Sequence, residues 1–417
     1  MFFETRQLDF VTGVIIRPIG PLFWPPVHDI FKPGFRNGRS NTFFLRRLLE
    51  LQKTEQLRKY LPRLLRDVRN GCEALADCLD GVVIPSECCW DTVFKQDCRL
   101  FCTDEIADDP KLLRAFSDLV LTLLHTFSHY NMAFPRLPSP SWAKRRYCRY
   151  TFVRLLKQII KRRMIKGGAS VADPLQVLID YGDSVDYMVE FFMSALFIAP
   201  ANSRIMTGQM LNIMSIHTDW QEKIYSEIKT AVRAHSKNPD AALVEQLDSL
   251  SLEVWESSFP TIQLCLREAV RMWTSFSMAR LNMSSDPIPI PGTDEVIPGN
   301  TFVCYNSTEV NFSEQLYPDP AKFDPARFLE GREEFKKETY GFVGWGQGCH
   351  PCAGVRWAKI QQNMIFAYAL AMYRWTSCDE EGRPTPNAVH EKLLNTKRST
   401  VLPKAFCKVV PRQEMRG

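Results

Sequence analysis

At 417 residues, with 45% apolar and 24% charged, the chain has a globular composition and enough material for a sizeable core, in one large domain or two ordinary ones. Its net charge of +5 comes from basic and acidic residues mixed along the chain, so charge gives no pointer to nucleic acid. The 13 cysteines fall short of disulfide-scaffold density and their odd number leaves at least one unpaired, which favours a reducing compartment and removes weight from the sequons at Asn282, Asn306 and Asn311.

The N-terminal stretch "MFFETRQLDFVTGVIIRPIGPLFWPP" is interrupted by charge and proline and lacks a signal-peptide layout. No segment supplies the ~20 continuous apolar residues needed to span a bilayer, so the expectation is a soluble chain. Apolar residues recur at three- and four-residue steps over 48–68 and 113–127, which predicts helices. "FPRLPSPSW" (134–142) reads as a proline-punctuated loop between helices. Lys144-Arg145-Arg146 and Lys161-Arg162-Arg163 read as solvated helix faces.

A very apolar helix is expected over 184–199, opened by Asp183 and Ser184, both good N-cap types. Further helices are expected over 218–232 and 261–273, the second started by Pro260. Short β-type runs broken by Pro-Gly pairs over 286–306 predict a small sheet. "LYPDPAKFDPARF" (316–328) cannot hold a long helix, and 355–373 is again helical. Cys265 and Cys304 read as small core residues on apolar stretches. There is no internal repeat and no low-complexity tract. The fold class is mainly α with a small β component toward the C-terminal half.

The stretch "GWGQGCHPCAG" (344–354) carries the chemistry. As a phosphate loop it fails on spacing: Gly344, Gly346 and Gly348 give G-x-G-x-G, without the βαβ surroundings that G-x-G-x-x-G requires. As a dithiol, Cys349-His350-Pro351-Cys352 has redox-type spacing and a helix after it that would lower a thiol pKa. A compact α/β unit around it is not indicated. A single-cysteine metal site remains. Centred on Cys352, an aromatic (Trp345) lies seven residues before, Gly348 four before, His350 two before and Gly354 two after.

This arrangement resembles the haem-binding loop of cytochrome P450 enzymes, Phe-x-x-Gly-x-Arg-x-Cys-x-Gly, with tryptophan for phenylalanine and His350 for arginine. Centring on Cys349 destroys the match. The resemblance implies that Cys352 is the axial thiolate of a haem iron, a ligand that favours O–O cleavage. It implies further that the glycines clear space beneath the ring, that Trp345 packs against it, and that His350 meets a propionate by hydrogen bond. Three more segments follow in family order. Glu268 and Arg271 form the E-x-x-R of the K helix, and "FDPARF" (323–328) matches the meander. Arg327 would close a structural Glu268–Arg271–Arg327 network behind the haem loop. Arg280 resembles the arginine that reaches a propionate. Arg46, Arg47 and Lys53 are candidates for the second one.

"ALFIAPANSRIM" (195–206) aligns with the oxygen-activation helix, placing Asn202 and Ser203 at the family's acid–alcohol pair. Ser203 keeps a hydroxyl that can hold water. Asn202 releases no proton, and Pro200 is expected to kink the helix.

The resemblance is closest in tone to fungal microsomal, sterol-demethylase-like members. It covers the chain from about residue 40 onward, as a single haem-binding domain over 1–417 that is N-terminally short, without the usual anchor and first strands. It implies a monooxygenase that uses haem b and receives NADPH-derived electrons through NADPH-cytochrome P450 reductase. The substrate would be small, bulky and apolar, such as a terpenoid secondary metabolite. The expected place is the cytoplasmic face of the endoplasmic reticulum, with peripheral membrane contact, and Arg356 and Lys359 would meet the reductase. Two rival readings are a haem-thiolate isomerase or dehydratase that needs no reductant, and a truncated, non-catalytic remnant acting as a binding protein.

Overall fold

The computed structural model describes residues 3, 7–9, 30–31, 42–78, 81–126, 137–166, 172–273, 277–385 and 405–412. Part of the expected proline loop, residues 134–136, lies outside them.

The leucine-rich stretch expected to form one helix over 48–68 forms two, α1 (Phe43–Leu51) and α2 (Thr54–Glu73). Thr42 caps α1 by accepting the Leu45 N–H at 3.1 Å. The break falls at Gln52–Lys53. Lys53 adopts an extended backbone with ψ 147°, and the Gln52 side chain bonds back to the Leu48 carbonyl at 3.1 Å, satisfying the end of α1. Periodicity alone does not show such a break, because the apolar spacing continues across it.

The chain then runs through β2 (Val82–Val83), α3 (Pro85–Cys88), α4 (Trp90–Phe101), α5 (Asp104–Asp108), α6 (Pro110–His125), α7 (Pro140–Lys166) and α8 (Pro174–Asp180). Next comes α9 (Val185–Ile216), capped by Ser184 accepting from the Tyr187 N–H at 3.3 Å. It was expected to end at 199, but it continues through Pro200 for 32 residues. Its surroundings explain this: α9 packs on α4, α6, α7 and the later helices α13 (Pro260–Trp273) and α15 (Val355–Met372), whose contacts outweigh one lost backbone bond. Helices α10 (Thr218–His235), α11 (Leu243–Asp248), α12 (Leu252–Ser257) and α14 (Ser307–Asn311) complete the described helical set.

Among the described residues, three small antiparallel sheets flank the helices. β3 (Ser277–Asn282) lies between β1 (Leu8–Asp9) and β6 (Phe302–Asn306), with Arg280 opposite Val303. Leu8–Asp9 is thus one strand that the N-terminal stretch does supply. β4 (Ile288–Pro289) pairs with β5 (Val296–Ile297), and β8 (Phe406–Pro411) lies between β2 and β7 (Tyr373–Cys378). The last sheet joins segments more than 300 residues apart, beyond the reach of local pattern.

Two sequence expectations are corrected. Arg163, read as part of a solvated face, is buried and pairs with Asp173 and Glu105, anchoring α7 to α8 and α5. Cys304 is no core residue but an exposed one on β6, where the alternating faces of a strand turn it outward. Among the described residues no helix is long and apolar enough to cross a membrane.

Asp97 on α4 is fully buried against α15, where its Oδ1 accepts the Trp357 indole N–H at 2.7 Å and the Gln361 amide at 3.3 Å. Its Oδ2 has no partner among the described residues. Burial raises its pKa to about 7, against the pull of these two donors. A folded pKa above the ordinary value contributes stability at acidic pH that is lost as pH rises through about 7. Denaturant melts are therefore expected to show wild-type stability falling between pH 5 and 9 by roughly 3 kcal/mol at most. Asp97→Asn, which keeps the indole acceptor without the charge, flattens that dependence.

Candidate active site

The cysteine loop between the meander and α15 is shaped by its backbone. The Cys352 N–H donates to the Trp345 carbonyl at 2.7 Å and the Gly346 N–H to the Val343 carbonyl at 2.9 Å, folding 343–352 into a hairpin-like turn. Gly346 and Gly348 have φ of +70° and +63°, the left-handed region that other residues enter at a cost. At Gly348 an added Cβ would also stand 2.0 Å from the Phe3 carbonyl, which accepts the Cys349 N–H at 2.9 Å. Chain packing, and not clearance alone, thus requires glycine there. At Gly354 an added Cβ would meet nothing within 4 Å, so the space beside it is open.

Cys352 is exposed, yet desolvation pushes its thiol pKa above the ordinary value. The Gly354 N–H acts in the opposite direction, favouring the thiolate. A bound metal cation would convert the thiol to thiolate.

His350 and Arg280 belong to one electrostatic cluster. Desolvation and then the Arg280 charge hold the imidazole below its usual range, and Asp9 opposes them. Arg280 is buried on β3, its Nη1 on the Ala279 carbonyl at 2.9 Å. The sequence placed these two residues separately at a propionate, and the fold brings them together. Of the candidates for a second anionic contact, Arg47 is committed to Asp183 by two bonds of 2.6 Å and Lys53 pairs with Glu50, leaving Arg46 exposed.

On α9, residues 188–196 and 206–215 are buried all round, while Ile198, Ala199, Ala201, Asn202 and Ile205 are partly or fully exposed. The helix is thus less enclosed over these two turns than on either side. Ser203 is buried, and the Asn202 amide donates to the Ile198 carbonyl at 3.0 Å, one turn back. Among the described residues no hydrogen bond joins either to the cysteine loop.

Glu268, Arg271 and Arg327 are all within 1% of full burial. Arg271 holds Glu268 through two bonds at 2.7 and 2.8 Å, and Arg327 adds a third at 3.0 Å. Arg271 also donates to the Asn311 and Pro320 carbonyls, and Arg327 to Glu334, tying α13 to the meander. Arg356, expected at a partner face, is instead engaged with Glu256, Thr54 and the Gln52 carbonyl. Its spacing on a helix start did not reveal partners 300 residues away. Gln52, Asp97 and Trp357 contact this region and carried no motif by which the sequence could have marked them.

The chemistry of this donor set fits a haem: one exposed cysteine with a thiolate-favouring amide, open space at Gly354, and an arginine and a histidine within electrostatic reach of each other for a carboxylate. A mainly helical fold presenting such a loop at a helix start defines the haem-thiolate class.

The comparisons agree. The family model for cytochrome P450 matches residues 84–403. Cytochrome P450 monooxygenase nsrP of Aspergillus novofumigatus is 63% identical over 415 residues, covering 100% of this chain and 80% of that protein. Cytochrome P450 monooxygenase AacuE of Aspergillus aculeatus is 51% identical over 417 residues, covering 100% and 83%. The sterol-demethylase likeness is distant: obtusifoliol 14-alpha demethylase of Sorghum bicolor is 25% identical over 274 residues, 64% of this chain and 53% of that one. Among solved structures, retinoic acid-bound cyanobacterial CYP120A1 superposes with a TM-score of 0.68 at 19% identity, covering 88% of this chain and 78% of that one, which shows the fold.

The chain belongs to the cytochrome P450 family. It is a monooxygenase of that family, with a haem-iron cofactor.

Removing the shared carboxylate leaves the buried Arg271 guanidinium without a carboxylate and Arg327 with Glu334 alone. Glu268→Ala is expected to cost about 3–5 kcal/mol and to lower haem content in step with the melting temperature, read from the haem-to-protein absorbance ratio and thermal melts.

Proposed function

We propose that Cys352 is the axial iron ligand of a haem-thiolate monooxygenase that oxidises a bulky apolar substrate, a fungal secondary metabolite such as a terpenoid. The observation that carries this reading is an exposed Cys352 on the glycine-shaped loop that opens α15, two residues before the N-cap Gly354. Arg280 and His350 would hold a haem propionate, and Trp345 and Gly348 shape the loop. When bound, the haem supplies dioxygen activation and oxygen transfer. The chain acts as one haem-binding domain.

The protein's own part on the distal side falls to α9. Ile198, Ala199, Ala201 and Ile205 offer an apolar face, which suits an apolar substrate. Ser203 presents a hydroxyl that can hold a water. Asn202 has no proton to give, so protons reach this site through water held between Ser203 and solvent. The fungal relatives support a fungal substrate, and NADPH-cytochrome P450 reductase would deliver the electrons. Lys359 is exposed on the same side as the loop and suits an acidic partner. Placement on the cytoplasmic face of the endoplasmic reticulum, with peripheral membrane contact, follows from the resemblance.

A second reading is favoured by one observation, the Asn202 amide turned back onto the helix. An isomerase or dehydratase acting on an already oxygenated substrate needs no proton delivery. Product formation without NADPH and reductase would select it over the monooxygenase reading.

The reduced carbon monoxide difference spectrum tests the ligand. A thiolate-type Soret band is expected in wild type and in Cys349→Ala and is absent from Cys352→Ala, whereas the reverse pattern assigns the iron to Cys349. In the reconstituted system, Ser203→Ala is expected to keep NADPH consumption within about twofold while product per NADPH falls by about tenfold or more, in line with loss of a proton-transfer group.

A further inference from the structure

The loop that carries Cys352 ends where α15 begins, and a residue distant in sequence holds that junction. Gly354 is the N-cap of α15 and has no side chain to satisfy the N–H groups of the first turn. Gln52, 3% exposed at the break between α1 and α2, supplies the acceptor. Its Oε1 takes the N–H of Trp357, the third residue of α15, at 3.3 Å. Its Nε2 donates to the Ala353 carbonyl at 3.0 Å and to the Leu48 carbonyl at 3.1 Å. The Ala353 carbonyl and the Gly354 N–H are the two ends of one peptide unit, and that N–H is the backbone donor that favours the thiolate form of Cys352, two residues before it.

We propose that Gln52 is a positioning residue for the cysteine ligand, orienting and polarising the Ala353–Gly354 amide so that its N–H hydrogen-bonds the Cys352 sulfur. The proposal rests on Cys352 being the axial ligand. A donor on a carbonyl draws density along the amide and strengthens the N–H at the other end. Attachment at both Ala353 and Trp357 fixes the plane of the intervening backbone, so the donor cannot swing away from the sulfur. A stronger N–H···S bond withdraws charge from the thiolate. Hydrogen bonding around an axial ligand is one of the levers by which a protein sets the potential of a haem iron. Gln52 would therefore raise the potential by acting through a peptide bond and never touching the haem.

The test uses the full chain loaded with haem. Gln52→Met keeps the length and volume of the side chain and removes both of its polar ends. With less charge withdrawn from sulfur, the iron is expected to show a more negative reduction potential, and its ferrous carbonyl complex a lower C–O stretching frequency through greater back-donation. The thiolate-type Soret band is retained. Trp357→Phe deletes the indole bond to Asp97 and leaves the Gln52 contacts in place. It is expected to lower the melting temperature without moving the potential or the C–O frequency. No shift in Gln52→Met, or the same shift in both variants, overturns the proposal. If Gln52→Met takes up no haem, Gln52→Asn, one methylene too short to reach both partners, gives the same readout. A wild-type carbonyl complex without the thiolate band is a separate failure, since it removes Cys352 as ligand before Gln52 is in question.

Discussion

The buried carboxylate of Glu268 is the interaction on which the rest of the site depends. It bonds two guanidinium groups at once, with Glu334 as the second carboxylate on Arg327, in a place from which water is excluded. A single pair buried this deeply repays its desolvation only with good geometry and further hydrogen bonds. Both conditions are met, because Arg271 and Arg327 each donate onward to carbonyls or a carboxylate of the meander. Residues 316–341 have little regular structure of their own, and these bonds substitute for it. The cysteine loop follows directly, so its position inherits the rigidity of the network.

A second constraint acts from the other end of the loop. A glycine at Gly354 leaves the surroundings of Cys352 open but gives α15 no cap. The cap comes from Gln52, whose own location is set by the break between α1 and α2. Arg356 reinforces the same joint through the Gln52 carbonyl and Thr54. Cys352 is thereby held between the meander and the α1–α2 corner, two regions that meet nowhere in sequence. Asp97 adds a buried acceptor under Trp357, one turn farther along α15.

The distal helix shows a different balance. Pro200 removes one backbone donor, and packing on both sides keeps the helix continuous regardless. What changes is local: the wall opens between Leu196 and Met206, and Asn202 turns its amide back to the helix. This is the part of the site least like the family pattern.

The cysteine loop was legible in the sequence because its requirements are local. Positive φ demands glycine at Gly346 and Gly348, and a fixed register from Trp345 to Gly354 marks Cys352 over Cys349. The helical core was legible for the same reason, since apolar periodicity is a short-range property. The E-x-x-R pair and the meander were legible as an ordered set, and the family resemblance gave the Glu268–Arg271–Arg327 bonds, while the onward bonds to Asn311, Pro320 and Glu334 were not legible. Long-range pairings lay beyond any such reading. Nothing local shows that Gln52 would reach Ala353, that Asp97 would sit under Trp357, that Arg163 would turn inward to Asp173, or that Arg356 would be consumed internally. Nor could it show that His350 and Arg280, 70 residues apart, share one charge cluster. The amino-acid order determines which backbone conformations are cheap and which faces are apolar. Which polar groups are buried together, and so which of them must be paired, is decided only when distant segments exclude the same water.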